Sequence, residues 1–232
     1  MSEIPVITVD GPSGTGKGTV CSHLANWLAW NFLDSGALYR VLAVAAEKHH
    51  LATNNEPGIA DLAKSLDVVF DRPQPRKDVK VIFEGNDISQ QIRTEECGNS
   101  ASQIAALPEV RSALLERQRK FQQKPGLVAD GRDMGTVVFA EAPLKIYLIA
   151  SAAERAKRRY KQLKQKGFSV NLPRLTADIA ERDTRDSQRT ISPLKPADDA
   201  IIVDTTTLEI STVIQKIEKL VRETLPDACS KC

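Results

Sequence analysis

The chain has 232 residues, 41% hydrophobic and 27% charged, with a net charge of +2 at neutral pH. That balance builds one α/β domain with room for a small inserted lobe, and it excludes a disordered chain. So small a net charge gives no bulk attraction to nucleic acid or an anionic membrane, and no apolar run approaches the ~20 residues that cross a bilayer.

The first element is an apolar, β-rich run over residues 4–10 that ends in Asp10. A strand starting so early leaves no room for a signal peptide, so the expected compartment is the cytoplasm. Residues 16–30 have helical spacing, and the turn between reads Gly11-Pro12-Ser13-Gly14-Thr15-Gly16-Lys17-Gly18-Thr19. A glycine-rich turn exposes successive backbone N–H groups and makes a concave nest for an anion. The helix that follows points its positive end into the same place. Lys17 adds an ammonium for β- and γ-phosphates, and Thr19 supplies a hydroxyl for Mg²⁺. The spacing fits the phosphate-binding pattern G-x-x-x-x-G-K-[ST], except that Gly18 delays the hydroxyl by one residue. This stretch is expected to bind a nucleoside triphosphate.

"NFLDSG" reads as a short strand ending at Asp34, and residues 37–50 as a helix with Leu38, Leu42, Ala45 and Ala46 on one face. The rhythm then breaks. Residues 66–89 offer two or three short strands around a proline-containing turn at 71–78 and a Gly85-Asn86 turn, a small antiparallel sheet. Two helices follow, the second opening at Pro108, a favourable first-turn position. "GLVADG" and "LKIYLIA" are apolar without alternation, as expected for strands covered on both faces of a parallel sheet. A basic helix "ERAKRRYKQLKQK", a charged helix over residues 178–189, the strand "AIIVD" and a closing helix over 208–224 complete the chain. Strands separated by helices predict a doubly wound, five-stranded parallel sheet with function at the carboxyl ends of its strands.

Those ends carry the informative side chains. Arg40, Arg132, Arg182, Arg185 and Arg189 alternate with Asp34, Asp130, Asp133 and Asp186. Arginine suits phosphate because its planar fork donates two hydrogen bonds at once. A charged helix can instead be a solvated face of i,i+4 pairs, and a strand-end Asp can simply cap a helix. His23, His49 and His50 have neither triad nor metal spacing, which agrees with transfer between phosphates, where the acceptor itself is the nucleophile. Cys21 is expected to be a buried helix residue. Cys229 and Cys232 have C-x-x-C spacing but lack the βαβ context of a redox motif and a second pair for zinc.

"DGPSGTGKGT", "LDSGALYR", "IRTEE", "ADGRDMGTVVF" and "KGFSVN" together resemble the bacterial cytidylate kinases, and the resemblance covers essentially the whole chain. It implies a P-loop kinase core over residues 1–226, an inserted monophosphate-binding lobe at about 64–106, a short helical lid at about 154–172 and a polar tail over 227–232. It also implies transfer of a phosphoryl group from ATP to CMP or dCMP with Mg²⁺, by a monomer that binds neither nucleic acid nor membrane. On that resemblance Gly11 to Thr19 hold ATP, and Arg155 and Arg159 close over it. Arg40, Arg132 and Arg189 face the CMP phosphate, and Arg182, Asp186 and Ser102 surround the sugar. Ser35, Arg111 and Asp133 read the base. Lys17, Arg132, Arg159 and Arg189 are the implied catalytic groups, with Thr19 on the ATP-bound Mg²⁺ and Asp130 reaching it through water. Cytosine supports the base set independently, since its edge offers two acceptors and one amino donor, matching an Arg and a carboxylate or hydroxyl. A kinase of another small monophosphate is the nearest alternative. A GTP-dependent switch would need a guanine-reading N-K-x-D motif, which the sequence lacks.

Overall fold

The structure is a computed structural model that describes residues 4–71, 80–165, 167 and 169–229. In chain order, β1 (Val6–Asp10) leads through the glycine turn to α1 (Lys17–Trp27), then β2 (Asn31–Asp34) and α2 (Ser35–Lys48). α3 (Glu56–Lys64), β3 (Val68–Asp71), β4 (Lys80–Phe83), β5 (Asn86–Asp87), α4 (Glu95–Ile104) and α5 (Pro108–Arg119) come next. The remainder is β6 (Leu127–Asp130), β7 (Leu144–Ile149), α6 (Ala152–Gln165), α7 (Leu172–Ser187), β8 (Ile201–Asp204), α8 (Ile210–Thr224) and a single turn, α9 (Pro226–Cys229). The chain divides into two compact units: Met1–Leu33 with Phe121–Cys232, and Asp34–Lys120.

The larger unit is built on a five-stranded sheet in the order β2-β6-β1-β7-β8. β1 pairs in parallel with both β6 and β7, and β7 pairs in parallel with β8. Every residue of β1 is buried, which is why the strand reads as a continuous apolar run up to its terminal carboxylate. Ile7, Val9, Leu24, Val128, Ile146, Leu148, Ile217 and Val221 form its core. Each side chain buried to this degree contributes roughly 1.5–3 kcal/mol. α6 and α7 share a smaller cluster of Ala156, Leu163, Leu175 and Ile179.

The smaller unit has its own core, in which Leu42, Ala45 and Ala46 of the predicted face of α2 pack with Ile59, Phe83, Ile104, Val110 and Leu114; the fourth residue of that face, Leu38, is also buried. Its sheet is antiparallel, in the order β3-β4-β5. The lobe expected at about 64–106 lies inside this unit, whereas its expected turn at 71–78 falls largely on residues outside the described ones.

Element boundaries depart from the sequence reading for local reasons. α2 starts at Ser35 because the Asp34 side chain accepts from Ala37 N at 2.9 Å and caps it. α1 stops at Trp27, and Ala29 then takes a left-handed φ of 52°. The β4–β5 hairpin turns on Glu84 and Gly85 rather than Gly85 and Asn86. Phe83 already pairs with Asn86, so both residues between must adopt positive φ, observed at 46° and 75°. Arg189 lies just past α7 instead of within it. The short helix α3 has no counterpart in the sequence reading.

Candidate active site

The site in the larger unit starts where β1 ends. Gly11 has φ 138°, and a Cβ there would sit 2.1 Å from the Leu148 carbonyl oxygen, so only glycine lets the chain turn against β7. Beyond it the loop's carbonyls are tied to protein donors. Lys17 Nζ and Thr15 Oγ1 both donate to Pro12 O, at 2.8 and 3.1 Å. Arg155 Nη1 donates to Ser13 O at 3.1 Å, and Thr205 Oγ1 donates to Thr15 O at 3.1 Å. Carbonyls held this way leave the amide edge of the loop, and the start of α1, to meet an anion. Thr19 is exposed on the first turn of α1, and a Cβ at Gly18 would stand 3.7 Å from Asp130 Oδ2.

Lys17 is buried, and burial, reinforced by the charge of Arg132, brings its pKa down to about 8; Asp130 and Asp10 oppose the fall. Asp10, also buried, rises to about 6 because burial outweighs the hydrogen bonds it accepts from Gly135 N and Met134 N. Asp186 gathers three of the predicted arginines. Its Oδ2 accepts from Arg132 Nε at 3.1 Å and lies 3.9 Å from Arg182 Nε, while its carbonyl accepts from Arg189 Nε at 3.2 Å. Burial works against the charge of Arg132, but Asp186, Asp130 and Asp183 hold its guanidinium protonated above the ordinary value. Asp133 is buried beside this group, at the start of a π-helical turn over Met134–Val138.

The two predicted arginines of α6 differ. Arg155 is buried and fully committed, to Ala150 O, to Ser13 O and, at 2.5 Å, to Asp183 Oδ2. Arg159 is half-buried and its Nη1 donates to Gln162 Oε1 at 2.6 Å. In the smaller unit, Ser35 Oγ donates to Gln118 Oε1 at 2.7 Å, and Arg40 Nη1 donates to Ile92 O and Thr94 O at 2.6 and 3.0 Å. Ser102 is buried there, and Arg111, buried as well, donates to Ala105 O at 3.0 Å with its guanidinium 5.7 Å from the Tyr39 ring centre.

Asp10, Asp183, Thr205 and Gln118 are members of these networks that sequence reasoning missed. Asp10 alone had a signal: a carboxylate closing a run of buried β residues calls for specific donors. Cys21 is buried in α1 as expected.

The family model for cytidylate kinase matches residues 7–223. The chain belongs to the cytidylate kinase family. The cytidylate kinase of Nitrosococcus oceani is 60% identical over 93% of this chain and 95% of its own length. That of Shewanella denitrificans is 56% identical, covering 97% of this chain and all of its own. For the Stutzerimonas stutzeri cytidylate kinase the figures are 59%, 94% and 95%. Among the described residues of this family member, no helix is long and apolar enough to cross a membrane.

Proposed function

We propose that the protein transfers a phosphoryl group from ATP to CMP or dCMP, releasing ADP and CDP or dCDP. The observation that carries this reading is the arginine network on Asp186, held in the same unit as a braced phosphate loop with a desolvated Lys17. Transfer between two phosphates needs cationic groups for both polyanions and no protein nucleophile, and catalysis is positioning with charge stabilisation.

In this reading Gly11 to Thr19 and Arg159 meet ATP, Arg155 serves it by bracing the phosphate loop through Ser13 O, and Lys17, Arg132, Arg159 and Arg189 stabilise the transferring phosphoryl group. Arg132 and Arg189 take the acceptor phosphate, Arg182 and Asp186 the sugar, and Asp133 the base. In the smaller unit Ser35, Arg40, Ser102 and Arg111 are proposed for monophosphate binding. The described residues hold no cluster of three or more acidic, His or Cys side chains fit to cage a metal. Mg²⁺ brought in by ATP takes most of its oxygens from phosphates and water, so it would ask few ligands of the protein. Thr19 and, through water, Asp130 would hold it, and the ion would neutralise charge on the phosphates. We further propose a monomer working in the cytoplasm, tested by sedimentation of the purified chain and by cell fractionation. The function itself is tested by coupled ADP release with CMP, dCMP, UMP and AMP as acceptors. Faster release with AMP or UMP than with either cytidine nucleotide overturns the assignment.

The state of Lys17 makes a pH dependence. With its folded-state pKa lowered to about 8, the ligand-free enzyme loses the ammonium as pH rises through that value. The kcat/KM for ATP should therefore fall above about pH 8. Bound phosphates restore the charge, so kcat should stay level to higher pH. Parallel decline of both parameters speaks against a Lys17–triphosphate contact.

Asp133 sets a second expectation. An ionised Asp can only accept hydrogen bonds, so it suits the cytosine amine and opposes the carbonyl that uracil carries there. An Asn amide can turn to accept from one or donate to the other. Asp133→Asn should lower kcat/KM for CMP and shift the CMP:UMP ratio toward UMP by roughly 5- to 150-fold, the equivalent of ~1–3 kcal/mol. Equal weakening of both substrates would instead make Asp133 a support for Arg132.

A further inference from the structure

Asp10 has no part in the roles just assigned, yet it is one of the most constrained polar groups in the larger unit. It is the last residue of β1, and Gly11 opens the phosphate loop directly after it. Because β1 and β6 are parallel neighbours, the chain leaving β6 passes the end of β1. That chain is Gly131-Arg132-Asp133, followed by the π-helical turn. Both Asp10 oxygens are used on it: Oδ1 accepts from Met134 N at 2.9 Å and Oδ2 from Gly135 N at 2.8 Å. Two adjacent amides, immediately after the two residues proposed to meet the acceptor, thus hang on one carboxylate.

We infer that Asp10 is a positioning residue: its bidentate grip on Met134 and Gly135 sets Arg132 and Asp133 in register with the phosphate loop. This rests on the function proposed above. The chemistry requires a carboxylate. Asn has one carbonyl oxygen, so its amide would point a donor at one of the two N–H groups. Side chains longer than Asp do not fit between a strand end and amides already at contact distance. The grip is also conditional on charge, since a protonated carboxyl turns a hydroxyl donor toward one amide. The ionisable groups around Asp10 are Asp133 from the turn, Lys17 from α1 and Tyr147 from β7. Burial leads among the influences that place its titration near pH 6.

The direct test is the wild-type protein alone, without nucleotide, so that the substrate phosphate's own ionisation near pH 6 does not enter. The amide proton resonances of Met134 and Gly135 should move together between pH 5 and 7 and should stay flat in Asp10→Asn. Wild-type resonances that move no more than those of Asp10→Asn at any pH at which the protein stays folded overturn the grip. The kinetic test is Asp10→Asn, checked for folding by its melting curve. The kcat/KM for CMP should fall about 10- to 100-fold, as small misplacements of reacting groups do, while KM for ATP stays within about twofold. A folded variant with unchanged CMP kinetics, or one losing ATP and CMP equally, overturns the positioning role. A chain that phosphorylates none of the four monophosphates overturns the proposed function instead, and the amide titration still decides the grip.

Discussion

A Lys17→Met variant should lose at least ~100-fold in turnover with ATP and CMP while melting no lower than the wild type at pH 7. The two halves of this result come from the same burial. Lys17 sits in a dry site and donates to Pro12 O at 2.8 Å, so its charge acts on the phosphates with little solvent screening. Its pKa of about 8, against 10.5 in the unfolded chain, means that the folded state holds this proton less tightly. Between those two values the unfolded chain binds more protons, so stability rises with pH there, and below about pH 8 the full penalty stands. That penalty is on the order of 3 kcal/mol. Met fills a similar volume without charge, removing the penalty at the cost of one hydrogen bond to Pro12. Turnover by coupled ADP release and melting by circular dichroism check the pair. Retention of more than half the activity would remove Lys17 from the chemistry.

Gly11→Ala should be the most damaging single-methyl substitution in the phosphate loop. The new Cβ would lie 2.1 Å from Leu148 O, an atom of β7, whose Leu148 is paired in register with Val203 of β8. Neither strand can move without breaking ladder bonds, and φ of 138° is unfavourable for any residue with a side chain. The expected cost is about 3 kcal/mol or more, with activity down at least ~100-fold as the loop shifts away from its braces. Gly85→Ala is the control. It too has a positive φ, 75°, but its Cβ would meet nothing within 4 Å, so it should cost only about 1–2 kcal/mol and leave turnover unchanged. Urea unfolding of both variants with activity measured alongside gives the comparison. Equal destabilisation of the two would mean that Leu148 yields and that the loop is not fixed against β7.

The phosphate loop, the strand ends and the arginines were legible because their signals are local: glycine spacing, uninterrupted apolar runs, and Arg–Asp sets following them. What escaped has partners far along the chain. Asp10 meets Met134 and Gly135, Thr205 meets Thr15, and Arg155 joins Ser13 to Asp183, so no window of sequence holds both ends of any of these contacts. Arg155 illustrates the difference. It was legible as a basic residue of a charged helix, but only the fold shows its guanidinium buried and occupied with the protein's own groups. Helix α3 was missed for another reason: it is only 9 residues long and carries Pro57 and Gly58, residue types that punctuate structure, in its first turn, although Asn55 caps it by accepting from Gly58 N.

The order β2-β6-β1-β7-β8 has a bearing on how the chain is made. Both neighbours of β1 are encoded after the smaller unit, so β1 emerges from the ribosome with no strand to pair with. At about 5–20 residues per second, the ~120 residues from β1 through β6 take on the order of 6–24 s to synthesise. The smaller unit has no such wait, because its helices, its hairpin and its core all lie within Asp34–Lys120. The later-encoded inserted segment can therefore reach its native packing during translation, while the apolar run Val6–Val9 stays open to chaperones and to misassociation. Codons that slow elongation between residues 34 and 126 would lengthen that exposure, and so affect the yield of folded protein without altering any side chain.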